Sequence, residues 1–174
     1  MRDEDLAAHL AADAGRNLLE VRASKRHHGA ELGRAGDAEA NALIMAALRE
    51  LRPGDGLLSE EESDDRTRLQ RDRVWIIDPL DGTREYSEGR DDWAVHVGLA
   101  IGGEPRLAAV ALPARGLVLR SDAPLDRPPT PPRPRMVVSR TRPPSEADVV
   151  AEALAADLVP MGSAGAKAMA VALG

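Results

Sequence analysis

Residues 74–86 read VWIIDPLDGTREY, four apolar side chains followed at once by two aspartates that bracket a proline and a leucine. The apolar run, rich in β-branched and aromatic residues, predicts a buried strand. Two carboxylates at the end of such a strand repel one another and lose solvation, and a cation between them is the simplest remedy. Pro79 and Gly82 are turn formers, so DPLDGT also reads as an ordinary surface turn. On a turn, Asp78 and Asp81 can converge on one point. The chain has no cysteine, and hard oxygen ligands favour Mg2+ or Mn2+ over zinc.

On the N-terminal side, Leu6, Leu10, Ala14, Leu18 and Val21 recur at three- and four-residue steps behind the acidic turn Asp3–Asp5, which predicts an amphipathic helix. A looser stretch, ASKRHHGAELGRAG, leads to Asp37, read as the N-cap of a second helix running to about Leu51, with Pro53-Gly54 as its stop. GLLSEEESDD is a short apolar run ending in acid. On the C-terminal side, Trp93 to Ile101 alternates with period two, and RLAAVALP and GLVLRS continue the strand signal, as an antiparallel meander would. Two helices followed by several strands predict an α+β domain, helices on a mostly antiparallel sheet, over residues 1–123. Six prolines between Pro124 and Pro134 predict a linker over 124–135. Residues 136–174 read as a partial second α/β domain: a strand MVVS, a helix capped by Ser145, and a turn at VPMGSAG running into a last helix.

A net charge of -6 and only two tryptophans and one tyrosine argue against a nucleic-acid polymer as partner, since phosphate-tracking surfaces need basic residues and stacking needs aromatics. No apolar run is long enough to span a membrane, and the charged start MRDEDLAAHL is unlike a signal peptide. A cytoplasmic protein is expected. Asp-Pro-Leu-Asp spaces its acids one position further apart than the Asp-x-Asp-Gly-Thr of haloacid dehalogenases, which disfavours that chemistry.

DPLDGT at 78–83, SEE at 59–61, AGD ending in Asp37 and GSAGAKAMAV from Gly162, in that order, resemble the inositol monophosphatase-like superfamily of Mg2+-dependent phosphatases. The likeness runs over nearly the whole chain and implies a layered α/β/α/β architecture of the sugar-phosphatase type. Gly82-Thr83-Arg84-Glu85-Tyr86 resembles the form found in CysQ-type 3'(2'),5'-bisphosphate nucleotidases, where inositol-phosphate members continue Gly-Thr-Thr-Asn-Phe. The resemblance therefore implies hydrolysis of 3'-phosphoadenosine 5'-phosphate to AMP and phosphate, a step linked to sulfate assimilation. Inositol monophosphatase or fructose bisphosphatase activity is the enzymatic alternative, and a non-catalytic remnant that binds metal or nucleotide the other.

By the same resemblance, Glu60, Asp78, the Leu80 carbonyl and Asp81 hold the metals, two or three Mg2+ in a complete site with Mn2+ as a substitute. Asp37 and Thr83 are the implied catalytic pair, Gly82 and Thr83 offer amides to phosphate, and Ser163 and Lys167 contact substrate. Ser139 and Arg140 carry a weaker version of that claim. Glu61 and Glu62 read as solvated or supporting, Glu85 as a site-orienting residue or a surface ion pair. His9, His27, His28 and His96 show no metal spacing and read as structural or solvated.

The superfamily's next element is a Trp-Asp pair whose aspartate completes the second metal site, and no Trp-Asp occurs before Gly174. The expectations from that departure are one weakly bound Mg2+, little hydrolysis, exposed apolar helix surface and a possible homodimer.

Overall fold

The computed structural model describes residues 1–129 and 131–174; Thr130, within the proline-rich stretch, lies outside the described residues. The chain runs α1 (Asp3–Ser24), α2 (Gly29–Leu51), β1 (Gly56–Ser59), β2 (Arg73–Asp81), α3 (Thr83–Ser87), β3 (Ala94–Ile101), β4 (Glu104–Leu112), β5 (Leu117–Arg120), β6 (Arg135–Ser139), α4 (Ala147–Ala153), β7 (Asp157–Met161) and α5 (Ala164–Leu173). Strands β1 to β5 form one sheet in sequential order, and β6 and β7 pair separately. β1 runs parallel to β2 and the remaining pairs of the large sheet are antiparallel, so the α+β reading and the meander hold.

The core lies between α1, α2 and one face of the large sheet. Leu6, Leu10, Ala14, Leu18 and Val21 of α1 meet Ile44, Met45 and Leu48 of α2 over Trp75, Ile77, Val95, Val97 and Leu99. An ionic network ties the edge of this core together. Arg73 at the start of β2 bonds Asp3 of α1 and Asp55, and Asp55 also accepts the indole N–H of the fully buried Trp75 at 2.8 Å. A buried indole without that acceptor would carry an unpaired donor.

The second helix differs from the sequence expectation. α2 begins at Gly29, eight residues before Asp37, and Asp37 is an interior residue with no capping role. Most of the stretch read as loose is helical: only Lys25–His28 separate α1 from α2, although Gly29, Gly33 and Gly36 weaken helix propensity. Packing explains two of these glycines. A Cβ on Gly36 would stand 2.9 Å from both Leu18 and Tyr86, and one on Gly33 would stand 2.6 Å from the Ser87 hydroxyl and 2.7 Å from Thr83. Their bareness lets α3 sit directly on α2, with Tyr86 fully buried and its hydroxyl bonded to the Leu18 carbonyl at 2.7 Å.

Beyond the proline-rich stretch, two further expectations are corrected. α4 opens at Ala147 with Glu146 at the cap position and no side-chain cap, so Ser145 does not cap it; instead the Ala147 amide closes a turn on the Pro144 carbonyl at 3.1 Å. VPMG contains the end of a strand rather than only a turn: Asp157–Met161 pairs in parallel with β6. Pro160 is tolerated because β7 has one strand partner and needs no second ladder. Val149 and Val150 on α4, Leu154 just after it and Val171 on α5 are exposed.

Candidate active site

The DPLD segment is not a turn but the bulged end of β2. Asp78 faces His96 on β3 and Asp81 faces Ala94, so three steps on β2 match two on β3. In a regular strand, residues three apart point to opposite faces. The extra residue of a bulge cancels that difference, and the burial pattern records it: Trp75 and Ile77 are buried, Pro79 and Leu80 are buried in succession, and Asp78 and Asp81 both emerge on the other side. Proline suits a bulge because it has no ladder donor to lose.

Three elements bring acids to this strand end. α2 delivers Asp37, the turn after β1 delivers Glu60 and Glu61, and β2 delivers Asp78 and Asp81. One carboxylate oxygen from each of Asp37, Glu60 and Glu61 falls within 4.8 Å of the others, and the same holds for Asp78, Asp81 and a ring nitrogen of His96. Thr83 opens α3 with its hydroxyl 3.0 Å from Asp37 Oδ2 and 3.1 Å from the Leu80 carbonyl. One hydroxyl proton cannot serve both acceptors fully, so the protonation of Asp37 decides which receives it.

The carboxylates differ in electrostatics. Burial, then the charge of Glu61, with Glu60 adding to it, pushes Asp37 up to about 7 against the Thr83 hydrogen bond. Burial, then the hydrogen bond and charge of Glu60 and the charge of Asp81, raises Asp78 well above the usual carboxylate range, although the Leu80 amide reaches its Oδ1 at 3.2 Å. Asp81 goes the other way. Burial raises it, but His96, the Gly165 amide and the Ser163 hydroxyl together hold it at about 2.

Asp81 is the dock for α5. Its Oδ2 accepts from Ser163 Oγ at 2.8 Å and from the Gly165 amide, with His96 Nε2 at 3.2 Å, and its Oδ1 accepts from the Ala164 amide at 3.2 Å. A Cβ on Gly165 would lie 2.1 Å from His96 Nε2, so only glycine lets the helix start approach this closely. Ser163 also caps α5 through the Ala166 amide. Lys167 turns back, its ammonium on the Gly162 and Ser163 carbonyls at 2.9 and 2.8 Å, and holds the turn rather than facing the acids. Arg140 bridges buried Glu85 and Glu88, each at 2.8 Å, which ties β6 to α3; Glu85 is therefore in a buried pair and not at the surface.

A divalent cation fits this donor set. Asp37 Oδ1 is buried and accepts no hydrogen bond from the described residues, and Asp37 and Asp78 are both pushed toward the protonated form by burial first and by the acids around them second. A cation would satisfy the orphaned oxygen and reverse both shifts. Hard oxygens dominate the donors, which suits Mg2+ or Mn2+.

Two site residues escaped sequence reading. His96 does lie on the face opposite Val95, as its alternation predicts, but that is the face on which Asp78 and Asp81 emerge, which only the strand register reveals. Glu61 sits with Glu60 at Asp37 and not in solvent alone.

Comparison with known proteins places this geometry. The model of the inositol monophosphatase family matches residues 4–124. The chain is 53% identical over 173 residues to the 3'-phosphoadenosine 5'-phosphate phosphatase of Mycobacterium tuberculosis (strain CDC 1551 / Oshkosh), covering 91% of this chain and 64% of that protein. It is 52% identical over 186 residues to the protein of the same name from Mycobacterium leprae (strain TN), covering 98% of this chain and 69% of that one. The fold matches Staphylococcal IMPase-II with a TM-score of 0.78 at 20% identity, over all of this chain and 70% of that structure. The chain thus spans about two thirds of the length of the relatives it matches.

Proposed function

Because the chain belongs to the inositol monophosphatase family, we propose that it is a Mg2+-dependent phosphomonoesterase acting in the cytoplasm on 3'-phosphoadenosine 5'-phosphate, with AMP and phosphate as products. The observation that carries the reading is the orphaned, buried Asp37 Oδ1 among Glu60 and Glu61, with Asp78 beside Glu60 and its carboxyl pushed up by burial and by Glu60. The substrate class rests on the names of the relatives above and on Arg84-Glu85-Tyr86 after the DPLDGT segment.

Glu60, Asp78, the Leu80 carbonyl and Asp81 are the groups that would hold the ions, with Glu61 beside Glu60 and Asp37. When bound, such ions supply positive charge to the phosphate and acidify water in contact with them. The chain's own residues do the rest. With Leu80 engaged elsewhere, the Thr83 hydroxyl has Asp37 as its remaining acceptor. Thr83 can then accept a proton from an attacking water and pass its own to Asp37, whose Oδ2 its hydroxyl already faces at 3.0 Å. The first-turn amides of α3, Thr83 among them, have no helical partner and suit phosphate oxygens. Ser163 and the start of α5 border the same point through Asp81. In this reading residues 1–123 form the ion-holding unit, 124–135 the connection, which runs into the first residue of β6, and 136–174 a second unit docked on Asp81.

Phosphate release from 3'-phosphoadenosine 5'-phosphate, inositol 1-phosphate and fructose 1,6-bisphosphate, measured in parallel with Mg2+ and with chelator, tests the proposal. Release should require the ion and rank the nucleotide first. Preference for inositol phosphate would overturn the substrate, and release undiminished by chelator would overturn the role of the carboxylates.

A further inference from the structure

Behind Glu60 and Glu61 stands a side chain that has no place in the chemistry above. Asn41 lies on α2 one turn beyond Asp37, is 8% exposed, and spends both ends of its amide on the turn that carries the two glutamates. Its Oδ1 accepts the Ser59 hydroxyl at 2.7 Å in a buried contact, and its Nδ2 donates to Glu62 Oε1 at 3.3 Å. Ser59 and Glu62 are the residues immediately before and after Glu60–Glu61. The Glu62 amide closes the turn on the Ser59 carbonyl at 3.3 Å, and the Glu61 amide reaches Ser59 Oγ at 3.3 Å. Arg49, two turns further along α2, holds the other Glu62 oxygen.

The chemistry allows little substitution here. Glu62 as a carboxylate can only accept, so an amide N–H must face it, and the Ser59 hydroxyl then meets the amide oxygen. An aspartate at 41 would lack the donor and add charge beside Asp37, Glu60, Glu61 and Glu62. A hydrocarbon would strand the buried Ser59 hydroxyl without an acceptor. α2 thus supplies Asp37 and, one turn later, the clamp that sets where Glu60 and Glu61 stand relative to it.

We propose that Asn41 is a positioning residue for the cation site, locking the Ser59–Glu62 turn so that Glu60 and Glu61 converge on Asp37. The inference rests on the reading of these acids as a cation site. Hydrogen-bonded partners behind metal ligands are worth about 10–100-fold in metal affinity or activity. Mn2+ alone is the probe, with its affinity measured calorimetrically on the whole chain and folding checked by circular dichroism. Asn41→Leu should weaken Mn2+ binding by about 10-fold, the low end of that range, because Asn41 acts through Ser59 and Glu62 rather than on Glu60 or Glu61 directly. Glu62→Ala, which removes only the outer arm, should weaken it by less, and Glu62→Gln, whose carbonyl still accepts from Asn41, should recover most of that loss. Asp55→Ala, far from the acids in role but costly to the fold, should leave Mn2+ affinity where it is, which separates positioning from general destabilisation. Unchanged affinity in folded Asn41→Leu would overturn the inference, and so would unchanged affinity in Glu62→Ala if the leucine variant does not fold. No Mn2+ binding by the wild-type chain would overturn the cation reading itself, and this inference with it.

Discussion

Replacing Asp37 with asparagine in the metal-free chain should stabilise the fold at pH 8 and leave it unchanged near pH 4. Asp37 is 6% exposed, and burial with the charges of Glu61 and Glu60 pushes its carboxyl up to about 7, against about 3.9 in an unfolded chain. The folded state therefore holds this proton more tightly than the unfolded state does. No penalty exists below the unfolded value; stability falls as pH rises from about 4 to about 7, then levels off. About three decades at about 1.4 kcal/mol each is roughly 4 kcal/mol. Glu60 and Glu61 are exposed, so solvent screens part of the repulsion, and about 2 kcal/mol is the working figure. In a chain of this length that is roughly 4–8 °C in Tm. Asparagine keeps a carbonyl for the Thr83 hydroxyl while removing the charge. The assay is thermal denaturation followed by circular dichroism in EDTA across this pH range. The wild-type Tm should fall toward neutral pH with the variant's profile flatter. Mg2+ should then raise the wild-type Tm by mass action and the variant's by less. Parallel profiles in EDTA, or a variant less stable than wild type at pH 8, would refute the electrostatic account of Asp37.

Further outcomes follow from other contacts. Asp78→Asn should reduce Mg2+-dependent phosphate release by more than about 100-fold, while Glu62→Gln changes it by only a small factor; equal losses would contradict the ligand assignment. Gly36→Ala should cost about 1–3 kcal/mol in urea denaturation, because its Cβ would press on Leu18 and Tyr86, and wild-type stability would show that α3 does not pack as described. Asp55→Ala should cost a similar amount by stranding the buried Trp75 indole N–H, read from the same denaturation curves. Gly165→Ala should push α5 off Asp81, since its Cβ would overlap His96; hydrogen exchange at residues 163–167 should then speed up, and unchanged protection would argue against this dock.

Much of the α+β core was legible from period and punctuation. The stripe from Leu6 to Val21 and the alternation from Val95 to Ile101 report a buried face without outside help, because a helix or strand must put its apolar residues on one side. The start of α2 was not legible. Local propensity marks Gly33 and Gly36 as helix breakers, whereas their use is to admit Thr83, Ser87 and Tyr86, residues some fifty positions away. VPMG failed for the same reason in a strand: Pro160 reads as a turn until β6 supplies the one ladder it needs.

The chemistry divides along the same line. DPLDGT, in a chain without cysteine, puts hard oxygen donors at a strand end whatever the fold, since residue type sets donor chemistry. How those donors converge depends on contacts between distant elements. A bulge brings Asp78 and Asp81 to one face, α2 carries Asp37 and Asn41 to the turn after β1, and the register of β3 sets His96 against Asp81. These are contacts between elements distant in sequence, fixed by packing and pairing that no local pattern encodes.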